Sequence, residues 1–391
     1  MMLGTFLAAG AARLAWPLLR PERGAPRPDH EAISKLLKER SASTPAPSNA
    51  PARTGRALRP EDRRWYLSRE EARKIFPINA RGQRYDPWCF YSHIPNLDHE
   101  VEWPEHPRGK WIYRTNSIGL REDAEVLPEL PDLRVLVTGD SQSEGFCDNA
   151  DAWPNLVEAA LARRFPEIGV EVLNAADGGY SFHQYLCVLE KFLDLRPHLF
   201  VVAVFGGNDF EEFLVPYRYF ARLPPVGAPE DVQVRMQTVG DGRLPLLIQG
   251  LYSAAYFRSR PEEVQVASRE SLALMAEMKR VCDEHAIRML CLYLPSPIEF
   301  EAGSRQADLD LAIAALDLRP ADLEAHAEMG RSFVREVGQL GIETLDAGDA
   351  LRAEPGPCFW YGDQHLNLAG NRAVAAALEP LVVRLAGLGE R

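Results

Sequence analysis

The chain has 391 residues, 46% hydrophobic and 26% charged, enough for one large domain with additions and typical of a soluble protein. Its formal net charge of -12 argues against a general phosphate-backbone binder, which needs a basic face to displace counterions, so nucleic acid is set aside as a partner. Six cysteines (Cys89, Cys147, Cys187, Cys282, Cys291, Cys358) show no CxxC pair and no neighbouring histidines, so neither a compact disulfide framework nor a zinc site is suggested and the reading is buried thiols.

The first segment, "MMLGTFLAAGAARLAWPLL" (residues 1–19), is apolar over about the length of a bilayer span, but Arg13 interrupts it and Pro17 sits near its end. No basic residue precedes the apolar run, so it does not read as a secretory signal. A weak membrane anchor and an amphipathic leader both stay open, and with them a membrane-associated or a cytoplasmic location. "HEAISKLLKER" follows as a short helical pattern, and "SASTPAPSNAPARTG" is a flexible linker by its Pro, Ser and Ala content. Residues 1–60 are thus leader and linker, and folding is expected to begin near Pro60.

Residues 61–130 are rich in aromatics and Pro, with "YDPWCFYSHIPN" and "KWIYRTNSIGLRE" as short strand-like runs between turn residues, and predict a small lobe of strands and loops. From residue 131 to 391 the pattern changes. "RVLVTG", "VEVLNAA", "LFVVAVFG", "IRMLCLYL" and "IETLDA" are short Val, Leu and Ile runs, as expected of strands buried on both faces of a parallel sheet. Between and after them lie the amphipathic stretches "WPNLVEAALARRF", "FHQYLCVLEKFLDL", "SRESLALMAEMKRVCDEH", "GRSFVREVGQL" and "NLAGNRAVAAALEPLVVRL". This alternation predicts an α/β domain with three layers and a doubly wound, parallel, five-stranded sheet. An insertion at about 210–262, rich in Tyr, Phe and Pro, is too long for a tight connection and marks a specificity region.

In such a sheet, ligands bind beyond the carboxyl ends of the strands. Ser141 follows the first strand, Gly178 and Gly179 the second, "GGND" (Gly206 to Asp209) the third, and "WYGDQHLN" the fifth. Each group has a plain reading by itself. Ser141 is a helix cap, Asp140 and Asp209 hold turns, Ser143 is a spare hydroxyl, Gly178, Gly179 and Asn208 form turns, and His183 and His198 are surface or capping groups. Together they bring a hydroxyl, a histidine with a nearby carboxylate, and fixed donors to one edge, which is what acyl transfer needs. No metal or other cofactor is implied.

The blocks "GDSQSEG" (Gly139 to Gly145), "NAADGGYS" around Gly179, "GGND" and "DQHLN" (Asp363 to Asn367) resemble, in order and spacing, those of the SGNH/GDSL hydrolase superfamily, over roughly residues 130 to 391. The resemblance implies a flavodoxin-like fold with Ser141 as nucleophile and His365 as general base. It further implies an oxyanion hole made by the N-H of Ser141, the N-H of Gly179 and the side chain of Asn208. That family's last block is commonly DxxH, whereas here Gly362 stands where the usual acid would lie and Asp363 is two positions before His365. A DxH spacing occurs in relatives, so Asp363 is the favoured orienting acid, with a backbone carbonyl as the fallback. The implied activity is a serine esterase acting on a small-molecule or carbohydrate ester, an O-acetylated carbohydrate being preferred over a bilayer lipid. An O-acyltransferase acting on a glycan would use the same residues, and a non-catalytic binding protein could keep the fold. Trp360 and Tyr361 serve either as a stacking platform for a sugar or as packing against the lobe.

Overall fold

The computed structural model describes residues 59–226, 235, 248–300 and 302–388; the apolar segment 1–19, the linker and residues 227–234 and 236–247 of the insertion lie outside the described residues. Among the described residues no helix is long and apolar enough to cross a membrane. The first helix, α1 (Arg69–Ile75), opens on a reciprocal cap in which Ser68 and Glu71 each take up the other's free backbone N-H. Four short strands follow: β1 (Gln83–Asp86), β2 (Phe90–His93), β3 (Asp98–Glu102) and β4 (Lys110–Arg114). They form two antiparallel pairs, β1 with β2 and β3 with β4.

The rest of the chain alternates strand and helix. In order come β5 (Leu133–Thr138), α2 (Ser141–Glu144), α3 (Trp153–Arg164), β6 (Val170–Asn174), α4 (Phe182–Lys191), β7 (Leu199–Phe205), α5 (Asp209–Glu212), α6 (Leu214–Phe220), α7 (Ile248–Ser259) and α8 (Pro261–Glu284). Then come β8 (Arg288–Leu294), α9 (Ala302–Leu316), α10 (Pro320–Gln339), β9 (Glu343–Asp346), α11 (Gly348–Ala353) and α12 (Leu368–Ala386). The five later strands pair in the order β6-β5-β7-β8-β9, all parallel. The chain leaves β5 first to one side, for β6, and then to the other, for β7, so the crevice where the winding reverses lies between β5 and β7.

Residues on the central strands alternate between two cores. Val135, Val137, Val201, Ala203, Leu290 and Leu292 pack with Trp153 and Leu161 of α3 and Val374 and Leu378 of α12. Leu136, Phe200, Val202, Val204, Cys291 and Tyr293 pack on the opposite face with α4, α8 and α10. The sheet is covered on both sides, which makes the architecture three-layered and explains why its inner strands read as unbroken apolar runs. Phe76, Phe90, Tyr91 and Leu120 of the N-terminal lobe belong to the second of these cores, so the lobe is packed into the domain.

The strands fall where the apolar runs predict them, but the helices differ. α8 and α10 begin at Pro261 and Pro320, ahead of the expected stretches, because proline fits a first helical turn, whose N-H groups have no intrahelical acceptor. The described part of the insertion is helical over α5, α6 and α7, with a turn and irregular residues at 221–226, and Arg218 pairs with Glu263 to tie α6 to α8.

Candidate active site

At the end of β5 the chain must leave the sheet, and Gly139 lets it turn closely, since a side chain there would run into Ser143. Asp140 caps the single turn of α2, its carboxylate accepting the N-H of Gln142 at 3.0 Å. The cap is therefore Asp140 and not Ser141, which is the first helical residue. Burial pushes the Asp140 carboxyl up to about 7, against the pull of that cap bond and of His365. Gly145 closes the turn at φ +90°.

The partner of Ser141 lies 224 residues on in the chain. Phe359 bridges Leu366, and Trp360 donates its N-H to the carbonyl of His365 at 3.0 Å, so residues 359–366 fold back into a tight loop. Within it Asp363 Oδ1 accepts the backbone N-H of His365 at 2.7 Å and also bonds the ring at Nδ1. A separation of two residues is what allows one carboxylate oxygen to reach both groups. A carboxylate that accepts at Nδ1 fixes the tautomer, leaving Nε2 to accept from Ser141 Oγ at 2.7 Å. Burial pulls the imidazole pKa down, but the charge and hydrogen bond of Asp363, with Asp140 and Glu144 beyond, leave it raised above its ordinary value. Phe146 lies face to face with the ring, centroids 3.7 Å apart and planes within 5°.

Gln142 joins the two segments. Its amide donates to the carbonyl of Gln364 and accepts the N-H of Leu366, each at 3.0 Å, so it grips the loop on both sides of His365. Gln364 in turn accepts the N-H of Gln249 at 2.7 Å, at the start of α7. From below, Asn371 of α12 donates to the carbonyl of Leu366 at 3.2 Å.

The loop after β6 places Gly179 at φ +77°, a conformation that glycine adopts without strain. Gly178 packs so closely that an added Cβ would lie 3.0 Å from Glu144 and 3.7 Å from the Cβ of Ser141. Among the described residues, the N-H groups of Ser141 and Gly179 have no hydrogen-bond acceptor. Asn208 follows β7, is buried, caps nothing with its side chain, and holds its Oδ1 without a partner. Asp209 beside it holds the turn, accepting from Tyr185 Oη at 2.6 Å and from the N-H of Phe205 at 2.8 Å.

The N-terminal lobe reaches all of this. Glu105 accepts the N-H groups of Tyr361 and Gly362, immediately before Asp363. Trp360 packs edge-on against Trp103 and beside His106, which is the packing alternative, while Tyr361 stays 54% exposed. His183 is not at the surface: only 1% exposed, it stacks on Phe213 and meets the edge of Trp65. His198 accepts the N-H of Arg134 at 2.9 Å. Gln142, Phe146, Glu105 and His93 carry no signal in the sequence that would mark them for the site, although Gln142 lies inside the serine block.

Among the described residues, two groups of His and acid side chains are close enough to share a cation: His93, Glu144 and Asp177, all buried, and His106, Asp148 and Asp151. In the first, Tyr113 and Gln83 already donate to the two carboxylates. In the second, Arg108 pairs with Asp148, so each set has a protein donor of its own.

No family model matches the chain, and no curated protein matches it with significance. Among solved structures it is similar to TesA (16% identical, covering 64% of this chain and 99% of that one, TM-score 0.38). It is also similar to a catalytic mutant of Axe2, an acetylxylan esterase from Geobacillus stearothermophilus (12% identical, 65% and 94%, TM-score 0.38). A third is a GDSL-like lipase from Bacteroides thetaiotaomicron (12% identical, 65% and 89%, TM-score 0.32). The doubly wound sheet that the resemblance to the SGNH/GDSL hydrolases implies is the fold of this chain.

Proposed function

We propose that the chain is a serine esterase whose nucleophile is Ser141, with His365 as general base and Asp363 as the acid that orients it. The observation that carries this reading is the 2.7 Å approach of Ser141 Oγ to His365 Nε2, with Asp363 on the other ring nitrogen. As Oγ bonds to the carbonyl carbon of the ester, Nε2 takes its proton and the carbonyl oxygen becomes an oxyanion. The N-H groups of Ser141 and Gly179 and the amide of Asn208 receive that charge. They are fixed donors, so no reorganisation is needed as it develops. Collapse breaks the ester C-O bond, and the alcohol leaves with the proton held on His365. Water then attacks the acyl-serine by the same route in reverse, releasing the acid and restoring Ser141.

Ser141 and His365 are only 8% and 3% exposed, and Phe146 covers one face of the imidazole, so access suits a short acyl group. Tyr361, exposed two residues before Asp363, offers a ring face to a sugar. Both favour a short-chain ester, foremost the O-acetyl ester of a carbohydrate. The purified protein is expected to hydrolyse an aryl acetate without added metal and with EDTA present, and Ser141→Ala to be inactive. Full activity in Ser141→Ala, or its complete loss with EDTA in the wild type, would refute the assignment. Acyl appearing on an added glycan in place of free acid would replace hydrolysis by transfer.

A further inference from the structure

We infer that His93 of the N-terminal lobe is a positioning residue for this chemistry, its imidazole bridging Glu144 on the nucleophile helix and Asp177 on the loop that presents Gly179. The inference rests on the esterase reading for its effect on rate, though not for the contact itself. His93 Nδ1 faces the carbonyl of Gly119 at 3.2 Å, and a carbonyl can only accept, so this nitrogen carries a hydrogen. Nε2 then lies 3.2 Å from Glu144 Oε1 and 3.4 Å from Asp177 Oδ1. All three side chains are buried. Two carboxylates converging on one buried nitrogen need a proton between them, whether it resides on the ring or on a carboxyl group.

The placement of these acids gives the bridge its consequence. Glu144 is the last residue of α2, one turn after Ser141, and Asp177 is two residues before Gly179. Neither is needed in the acyl-transfer steps, yet each is met by further donors from the lobe. Tyr113 donates to Glu144 and Gln83 to Asp177. Gln83 and Tyr91 also donate to the carbonyl of Gly178, at 3.2 and 3.1 Å. Arg121 completes the set, giving its guanidinium hydrogens to the carbonyls of Glu144 and Cys147 at 3.3 and 3.1 Å. The lobe thus fixes the distance between the nucleophile and an oxyanion donor, and the imidazole of His93 meets a carboxylate from each segment.

The test uses the full chain with His93→Gln and, because that variant places a new amide between two acids, the isosteric Asp177→Asn as a second. Hydrogen exchange over residues 141–145 and 176–180 is expected to quicken in both variants, outside as well as within turnover. With an aryl acetate, kcat should fall about 10- to 100-fold while KM stays within about 3-fold, the pattern of misplacement by about an ångström with binding preserved. The double variant should be no slower than the slower single one, since both remove one bridge. Unchanged exchange in both peptides together with wild-type kcat in the folded variants would overturn the inference. So would a stoichiometric transition metal in the purified wild type that is absent from His93→Gln. If the wild type hydrolyses no ester, the functional reading fails, and the exchange measurement still decides the bridge.

Discussion

Replacing Gln142 should uncouple His365, the proposed base, from Ser141, the proposed nucleophile. Its side chain is 1% exposed and makes two bonds of 3.0 Å to the backbone on either side of His365. Gln142→Met keeps most of the volume and removes both bonds, leaving the carbonyl of Gln364 and the N-H of Leu366 buried and unpaired. A lost buried hydrogen bond costs about 1 kcal/mol net, and an orphaned buried group about 1–3 kcal/mol, so the two orphaned groups amount to roughly 2–6 kcal/mol. At about 3 °C per kcal/mol for a large domain, the melting temperature should drop by roughly 6–18 °C. Since the loop carries the proposed base, kcat should fall on the order of 10²-fold, the cost of a displacement of about 1 Å, with less change in KM. Gln142→Ala should be worse by the packing it loses. The assay is a calorimetric melt beside steady-state kinetics on an aryl acetate. If Gln142→Met melts within 2 °C of wild type, on the order of a surface substitution, and turns over normally, the two bonds do not hold the loop.

Asn208→Ala should lower kcat about 10²- to 10³-fold with little change in KM, as expected of a donor used in the transition state. Its melting temperature should hardly move, because Oδ1 has no partner to lose; a wild-type turnover number in the folded variant would remove Asn208 from the site. In the proposed mechanism the base is the neutral imidazole of His365, whose pKa is raised, so kcat/KM should rise with pH about a midpoint above about 6.5, the ordinary histidine value. Asp363→Asn takes away the main upward influence and should move that midpoint to lower pH while lowering the plateau; an unmoved midpoint in a pH-rate profile would favour the backbone-carbonyl fallback. Burial pushes Glu122 up to about 8, although it accepts from the N-H of Asn174 and from Asn155, each at 2.7 Å. The folded state therefore holds a proton that the unfolded state releases near pH 4.3, and stability falls as pH rises from about 4.3 toward 8. Glu122→Gln should flatten that fall and raise the melting temperature at pH 8, with Asn155 turning its unpaired oxygen to the new amide; a lower melting temperature at pH 8 would show that the carboxylate is stabilised there.

The helix starts at Pro261 and Pro320 escaped a reading keyed to apolar repeats because their first turns are polar and lie ahead of the buried stripe. His183 reads as a polar residue on a helix and is buried because Phe213 and Trp65, from two other segments, close over it. Trp360 could have faced a ligand or the lobe, and Trp103 and His106 decide for the lobe. By contrast the strands at Leu133, Leu199 and Arg288 show in the chain as largely apolar runs, because a strand covered on both faces has no polar side to display. Ser141, Gly179, Asn208, Asp363 and His365 are legible because each sits in a short block just past a strand or at the chain's last turn before α12. By itself, then, the sequence determined the α/β succession and the chemical groups gathered along one edge of the sheet, since residue type and period are local properties. Only the tertiary structure decided that Gln142 clasps the loop 222 residues away and that His93 bridges Glu144 and Asp177, because such partners are chosen by packing between distant segments and leave no pattern along the chain.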